Sequence, residues 1–468
     1  MKIYLEDKAK ISQRIRKRDV TISVVGIGVI GLPVATYLAS QNFKVYGIDK
    51  NDRRVKQVNE GSVHFECSDL LKKVISKSNF LATTNSRQAL EKSDIAIVCV
   101  PTPLEKKNTI NLAYIESATK SIVDSYPKGM TLVFESSVTV GTTRSMGNMI
   151  EHDTGLKPGK DFGLVYAPER YNPTLPIEKH PEIFLGKHPK RVHTTYTLDR
   201  IPRVMGGINK KSVFIAKGVY SQFIKEDIKE VSSIECAEAT KLFENVFRDV
   251  NIALVNEFAL VCSKLGLDAY EVIEAAKTKP FAFLPHYPGL VGGECIPVDT
   301  WYLIKQAEGI SVNTKLMRTA REINDYMATY TVDMLRDALK EKNQKMEKSR
   351  IGILGLAYKK NVADSRVSLS KTIKEILEKQ GAEVLMCDPV IEMFDPSNNV
   401  KLTPLDNFFK GLDGIVMATD HDIFNKINLE KARRMMRTRV IVDARNFFDA
   451  EKAKRLGFAY RGIGKPVD

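Results

Sequence analysis

Thr21-Ile22-Ser23-Val24-Val25-Gly26-Ile27-Gly28-Val29-Ile30-Gly31-Leu32 decides the fold of this 468-residue chain. Five residues suited to a buried strand run into Gly-x-Gly-x-x-Gly, and a helical pattern opens behind it at Leu32–Gln41. The next strand, Lys44–Ile48, ends on Asp49, about 20 residues after the glycines. Each glycine has its own task. Gly26 makes the turn, Gly28 lets the main chain approach a pyrophosphate, and Gly31 packs helix on strand. The helix N-terminus favours the anion, and Asp49 is placed to accept hydrogen bonds from ribose hydroxyls. A carboxylate there repels a 2′-phosphate, so the spacing predicts NAD over NADP, although Lys50, Arg53 and Arg54 soften that preference.

Outward from this turn the chain alternates. Strands are expected at Ile95–Val100, Thr131–Glu135 and Phe162–Tyr166, which argues for a parallel sheet covered by helices. From about Ile224 to Lys345 the β signals fade. Ser233–Leu265 carries Ala237, Leu242, Val246, Val250, Leu254, Phe258 and Val261 at helical spacing and stops at Gly266, and Leu316–Lys340 is a second long helix. Alternation returns at Ile351–Leu354, Lys371–Gln380, Glu383–Cys387, Gly414–Ala418 and Val440–Val442. The expectation is therefore an α/β protein: two Rossmann-like doubly wound domains joined by a helical central domain with its own core. The limits are 1–19 for a charged lead-in, 20–223, 224–345 and 346–468. The long apolar-faced helices predict a homodimer or larger homo-oligomer through the middle section.

A second glycine turn, Ile351-Gly352-Ile353-Leu354-Gly355-Leu356-Ala357, lacks the full fingerprint. Tyr358-Lys359-Lys360 follows it, and cations on such a turn suit a phosphate-bearing ligand as well as a solvated surface. Asp388 ends the next strand, where a ribose partner would stand.

Composition narrows the class. Hydrophobic residues make 43% and charged residues 27% of the chain, an ordinary globular balance, and the net charge is +14. Basic clusters at Arg14–Arg18 and Lys340–Arg350 read as solvated surface, with no RNA-binding aromatic signature and no zinc finger, so no nucleic-acid partner is expected. The six cysteines are scattered without Cys-x-x-Cys or zinc spacing, which predicts no metal and fits a reducing cytoplasm. Val20–Phe43 is uncharged and imitates a membrane anchor, but Gly26, Gly28, Gly31, Pro33, Thr36 and Gln41 divide it, so no membrane insertion is expected.

The chemistry centres on Pro288-Gly289-Leu290-Val291-Gly292-Gly293-Glu294-Cys295-Ile296-Pro297-Val298-Asp299. A thiol beside two glycines, with a carboxylate four residues on, suits covalent catalysis on a ligand that approaches the main chain closely. Lys241 and Asn245 stand at i and i+4 on the long helix, a cation and an amide donor able to stabilise an oxyanion.

These segments together resemble the nucleotide-sugar 6-dehydrogenase family. The markers are the Gly26 fingerprint, Val100-Pro101-Thr102-Pro103, Glu135-Ser136-Ser137-Val138-Thr139-Val140-Gly141-Thr142-Thr143, Tyr166-Ala167-Pro168-Glu169-Arg170, Glu238–Asn245, the Cys295 run and the block from Leu354 to Arg366. The resemblance implies oxidation of a UDP-sugar C6 alcohol to a carboxylate with two NAD. It implies that Asp299, with a water or Lys241, helps remove the hydroxyl proton, and that Cys295 forms a thiohemiacetal and then a thioester. Lys241 and Asn245 steady the oxyanion, and Glu169 with Ser137 and Asp299 supports hydrolysis. It places Gly26, Gly28, Ile30, Gly31, Asp49, Arg54, Thr102 and Arg366 at the cofactor. Phe283, Leu284, Tyr287, Gly292, Arg321 and Lys359 fall to the substrate, with UDP on the C-terminal domain.

The chain also departs from the family pattern. Ser137 stands where members usually have Thr, Thr139 where Pro is common, and Thr300 where Pro often follows the Asp. Glu294 precedes Cys295 where members that take N-acetylated sugars often have His, and a carboxylate there opposes the thiolate unless it points away. Val298 replaces the Lys usual in glucose-specific members. The Cys-Ile-Pro-Val-Asp form resembles the N-acetylglucosamine and N-acetylmannosamine enzymes, and Trp301 with Thr319–Asp325 leans toward mannosamine. UDP-glucose is the alternative substrate. More distant alternatives are a two-electron NAD dehydrogenase and a non-catalytic nucleotide-sugar binder; two, one or no NADH per product separates them.

Overall fold

The computed structural model describes residues 1–63, 68–105, 108–171, 197–394 and 399–466. Among these the chain forms two compact units, the first running to Glu244 and the second from Asn245 onward.

In the first unit the strands are β1 (Thr21–Val25), β2 (Lys44–Ile48), β3 (Phe80–Thr83), β4 (Ile95–Val98), β5 (Thr131–Phe134), β6 (Gly163–Tyr166), β7 (Arg203–Gly207) and β8 (Ile228–Glu230). They pair in the order β3-β2-β1-β4-β5-β6-β7-β8. The first six follow the 3-2-1-4-5-6 order of dinucleotide-binding sheets, with the order reversing beside β1. Ile22 pairs with Val45 on one side and Ile95 on the other, in parallel register. Among these described strands only β6 and β7 pair antiparallel. Apolar strands fully buried on both faces explain the near-continuous Val/Ile/Leu runs. One core, with Ile22, Val24, Leu32 and Leu38, fills one face, and another, with Val98, Leu132 and Phe134, fills the other.

The N-terminal lead-in is part of this unit. A helix at Lys8–Lys17, capped by Asp7 accepting from the Lys10 N–H at 2.9 Å, buries Ile11 and Ile15 in the first core. Arg14 pairs with buried Asp94 at 2.8 Å.

The second unit holds β9 (Arg350–Leu354), β10 (Glu383–Cys387), β11 (Gly414–Met417), β12 (Val440–Asp443) and β13 (Ala459–Gly462), all parallel in the order β10-β9-β11-β12-β13. This is the 2-1-3-4-5 order, also doubly wound, and it reverses at β9. The helix Lys315–Glu341 buries Met327, Ala328, Val332 and Leu335 in one core with Ile351 and Ile353. The helical section therefore shares the second unit's core, where the sequence suggested a separate one. A helix stripe facing a sheet has the same 3.6-residue period as one facing another helix, so periodicity does not reveal its partner.

The long helix runs Ile234–Leu265. Among the described residues no helix is long and apolar enough to cross a membrane, no group of His, Cys, Asp and Glu could hold a metal ion, and no disulfide forms. Cys67 lies outside the described residues.

Candidate active site

At the end of β1, Gly26 adopts φ +89°, and a Cβ on it would stand 2.7 Å from the Cys99 carbonyl oxygen. A Cβ on Gly31 would stand 1.9 Å from the Gly26 carbonyl oxygen, so these two glycines are demanded by the protein's own backbone. Gly28 is different, because nothing of the protein lies within 4 Å of the position its Cβ would take. Space kept open at the middle glycine, at the head of the helix Gly31–Ser40, is the cradle a dinucleotide pyrophosphate needs. Ile30 is the residue before that helix.

Asp49 accepts N–H groups from Ile27 at 3.3 Å and Asn51 at 3.0 Å and stays half-exposed, so its carboxylate is held at the turn with capacity left for a ligand. Arg54 sits half-buried in the helix Asp52–Asn59. Thr102 donates to the Ser137 carbonyl at 2.6 Å, and Ser136 donates to the Val100 carbonyl at 2.7 Å. These bonds lock the loop after β4 to the loop after β5 at the carboxyl edge of the sheet.

The nominated catalytic residues divide between the units. In the first, Glu169 is buried and Lys241 donates to its main-chain oxygen at 2.6 Å. Ser137 is half-exposed in the loop after β5. Glu238, one turn before Lys241, accepts from the Gly141 and Thr143 N–H groups at 2.6 and 2.8 Å. It thus caps the helix Thr142–Thr154 and is a structural member of its motif.

In the second unit, Cys295 is exposed and immediately precedes the helix Ile296–Gly309. The positive end of a helix favours negative charge at that point. Asp299, one turn in and 1% exposed, accepts from Asn245 Nδ2 at 2.6 Å. Glu294 is turned into an ion pair with Arg366 at 2.7 Å, and Arg366 also holds Asp364 at 2.7 Å. Burial pushes the Glu294 carboxyl up, Arg366 draws it down and Asp364 pushes it up again.

Gly292 and Gly293 owe their lack of side chains to the fold. A Cβ on Gly292 would stand 2.6 Å from the Val367 carbonyl oxygen, and one on Gly293 2.6 Å from the Tyr358 ring. The cysteine loop thus rests on the segment after the Gly355 turn. A shallow surface depression is lined there by Gly292, Ala357, Tyr358, Ser368, Thr419 and Arg445. The helix Leu369–Lys379 starts at its edge with Ser368 as cap. Lys359 is half-buried, and its ammonium is pushed down to about 8 by burial first and by Arg248 second, with Cys295 opposing.

Two sequence expectations are corrected. Arg321 is 1% exposed and committed to Asp249 at 2.6 Å and to Asp325, so it braces the long helices and does not face a substrate. Asp388 accepts from the Leu356, Ala357, Val390 and Ile391 N–H groups and meets His421 Nε2 at 3.1 Å. Buried and saturated, it organises the second turn and offers nothing to a ribose. Phe283, Leu284 and Tyr287 are exposed, and Tyr287 stacks on Tyr270 with ring centroids 6.0 Å apart. Glu135, Arg203 and Tyr220 form a buried charged group that sequence reading missed. Glu135 stood in a quoted motif, but nothing in the pattern marks Arg203 as its partner.

Comparison with known proteins matches the chain to three models of one family, the UDP-glucose/GDP-mannose dehydrogenase family: its NAD binding domain at residues 20–224, central domain at 235–326 and UDP binding domain at 352–450. The chain belongs to this family. The enzyme is an NAD-dependent UDP-sugar dehydrogenase, an oxidoreductase. It is 36% identical over 448 residues to the UDP-N-acetyl-D-mannosamine dehydrogenase of Pyrococcus horikoshii, covering 95% of this chain and 99% of that one. It is 30% identical over 442 residues to the UDP-N-acetyl-D-glucosamine 6-dehydrogenase of Pseudomonas aeruginosa, covering 93% and 99%. A solved structure of a UDP-D-ManNAc dehydrogenase from Pyrococcus horikoshii superposes with TM-score 0.83 at 34% identity, covering 95% of this dehydrogenase and 99% of that chain.

Proposed function

We propose that this enzyme oxidises C6 of a UDP-N-acetylhexosamine, with UDP-N-acetylmannosamine the preferred member, to the uronic acid. The reaction consumes one water and two NAD and releases two NADH and three protons. In this reading residues 20–223 hold NAD, residues 224–345 carry the catalytic helix and a self-association face, and residues 346–468 hold UDP. The observation that carries the chemistry lies within the second unit: an exposed Cys295 at a helix start, one turn from a buried Asp299 that Asn245 holds at 2.6 Å. Val298 and the two acetamido-sugar relatives support the substrate.

NAD, when bound at the Gly28 cradle, accepts the two hydrides. Asp299, steadied by Asn245, assists removal of the C6 hydroxyl proton. The Cys295 thiolate adds to the aldehyde carbon, and Lys241 and Asn245 stabilise the oxyanion of the hemithioacetal. Oxidation leaves a thioester, which water hydrolyses with Glu169 as proton acceptor and Ser137 as a donor to that water. Arg366, which already neutralises Glu294, and Arg54 and Thr102 complete the cofactor contacts, and Lys359 meets the UDP phosphates. On the long helix Phe247, Leu254 and Val261 are 43%, 61% and 48% exposed at two-turn spacing, which supports a homodimer through that stripe.

The test is kcat/KM for UDP-glucose, UDP-N-acetylglucosamine and UDP-N-acetylmannosamine, with NADH counted per acid formed. Two NADH per acid and a preference for the N-acetylated sugars are expected. Cys295→Ala should make no acid while binding NAD normally. A preference for UDP-glucose would sink the substrate reading alone.

A further inference from the structure

Beneath the carboxyl edge of the first unit's sheet lies a charged group of which the reaction above uses Glu169 alone. Glu135 directly follows β5, Glu169 lies three residues after β6, and Arg203 opens β7, which runs against β6 and so begins at that same edge. Arg203 Nη1 is 3.8 Å from Glu135 Oε2 and 3.6 Å from Glu169 Oε2. All three side chains are enclosed, at 1%, 0% and 8% exposure.

The groups facing them are few. The Tyr220 hydroxyl donates to Glu135 Oε1, and the Cys99 thiol lies 3.8 Å from Glu135 Oε2. The Tyr171 N–H donates to Glu169, and Lys241 Nζ is occupied by the Glu169 carbonyl oxygen. Burial first, and the Glu135 charge second, hold the Tyr220 hydroxyl and the Cys99 thiol well up, so both stay neutral. Burial opposes the Arg203 charge, but the two carboxylates outweigh it, and Arg203 stays cationic. Among the described residues one fixed cation, Arg203, therefore serves two carboxylates out of water. Among the described residues the pairing is also incomplete, since Arg203 Nε and Nη2 and Glu169 Oε2 have no hydrogen-bond partner there. An uncompensated charge in such a place is relieved by binding a proton.

We propose that this cluster holds one proton, that Glu135 carries it, and that Glu135 is thereby a positioning residue which leaves Arg203 to pair with Glu169 during hydrolysis. The second half of the proposal rests on the role given to Glu169 above. Glu135 is the carrier because its anion accepts only from a phenol and a weak thiol donor, whereas Glu169 accepts a main-chain N–H and lies nearer Arg203. Its carboxyl is pushed up to about 7 by burial, with Arg203 drawing it down and Glu169 pushing it further up. In hydrolysis the water oxygen bonds the thioester carbon and the carbon–sulfur bond breaks. Glu169 takes one water proton, and the other passes to the departing Cys295 thiolate or to solvent. A neutral Glu135 leaves the Arg203 cation to Glu169, 3.6 Å away.

The experiment has two arms on the full-length protein. In the first, infrared spectra of protein labelled with ¹³C-glutamate, without substrate, follow the protonated carboxyl band from about pH 5.5 to about pH 9. The expected band disappears near neutrality, shifts in Tyr220→Phe and is missing from Glu135→Gln. Absence of a protonated glutamate throughout that range, or a band indifferent to Tyr220→Phe, overturns the proposal, and neither observation needs Glu135→Gln to fold. In the second arm, Glu135→Gln, which mimics the neutral acid, is expected to keep kcat within about threefold at the acid end and to lose a near-neutral inflection seen in the parent. A folded Glu135→Gln that loses about a hundredfold, or that retains the inflection, overturns the positioning role. If the parent makes no acid while the infrared band behaves as stated, the substrate reading fails and the proton assignment stands.

Discussion

Arg366 holds the Glu294 carboxylate at 2.7 Å, one residue before Cys295. The like charge that the sequence sets beside the thiol is therefore matched by a cation from the segment after the second glycine turn. Removing the cation should leave the carboxylate to oppose the thiolate. Arg366→Ala is expected to slow alkylation of Cys295 by about three- to tenfold at neutral pH without cofactor, and Glu294→Gln in the same chain should restore it. Peptide mapping by mass spectrometry reads Cys295 apart from the other cysteines. Equal rates in parent and Arg366→Ala would mean the pair does not govern the thiol.

Gly28 and Gly31 should separate binding from folding. Gly28→Ala enters open space and is expected to leave the unfolding free energy within about 0.5 kcal/mol of the parent while NAD affinity falls at least about tenfold. Gly31→Ala drives a methyl into the Gly26 carbonyl and should cost about 1–3 kcal/mol or more. Denaturant unfolding and calorimetric titration with NAD check both. Full NAD affinity in Gly28→Ala would show that the open space is not the pyrophosphate site.

Lys359 gives UDP binding a pH dependence. Its ammonium loses its proton near 8, so the cation is present below that value and is lost as pH rises through it. UDP affinity should be level up to neutrality and then fall by at most about tenfold per pH unit above 8, an effect that salt reduces. Lys359→Met should bind weakly at all pH values, with a flat profile. A parent profile equally flat between neutrality and the alkaline side would remove Lys359 from the phosphate.

Much of the architecture was legible because it is local. β1, β2 and β10 are read to the residue from β-branched runs and their stops, and Gly26, Gly28 and Gly31 from one fingerprint. β3, β7, β8 and β13 escaped because Phe80–Thr83, Arg203–Gly207, Ile228–Glu230 and Ala459–Gly462 are short, and three of them carry charges. Cys295 and Asp299 were nominated from the glycine-cysteine run, and Asn245 from its i, i+4 spacing with Lys241. Pairing was not: Arg203 with Glu135, Arg366 with Glu294 and Arg321 with Asp249 join residues 68, 72 and 72 positions apart, and no short-range pattern encodes such contacts. The same limit misread Asp388, which ends a strand as Asp49 does but meets His421 from a distant segment.

The contact of Gly293 with the Tyr358 ring reaches beyond this one molecule. Because a single added carbon at 293 would collide with the aromatic ring, and φ +89° there already disfavours a side chain, position 293 is not free to grow while the aromatic stands at 358. Descendants of this sequence that acquire a larger residue at 293 should also lose the aromatic at 358, and those that keep the aromatic should keep the glycine. The cysteine loop and the turn beneath it are thus tied together in space, and a library randomised at both sites should recover glycine at 293 wherever 358 stays aromatic.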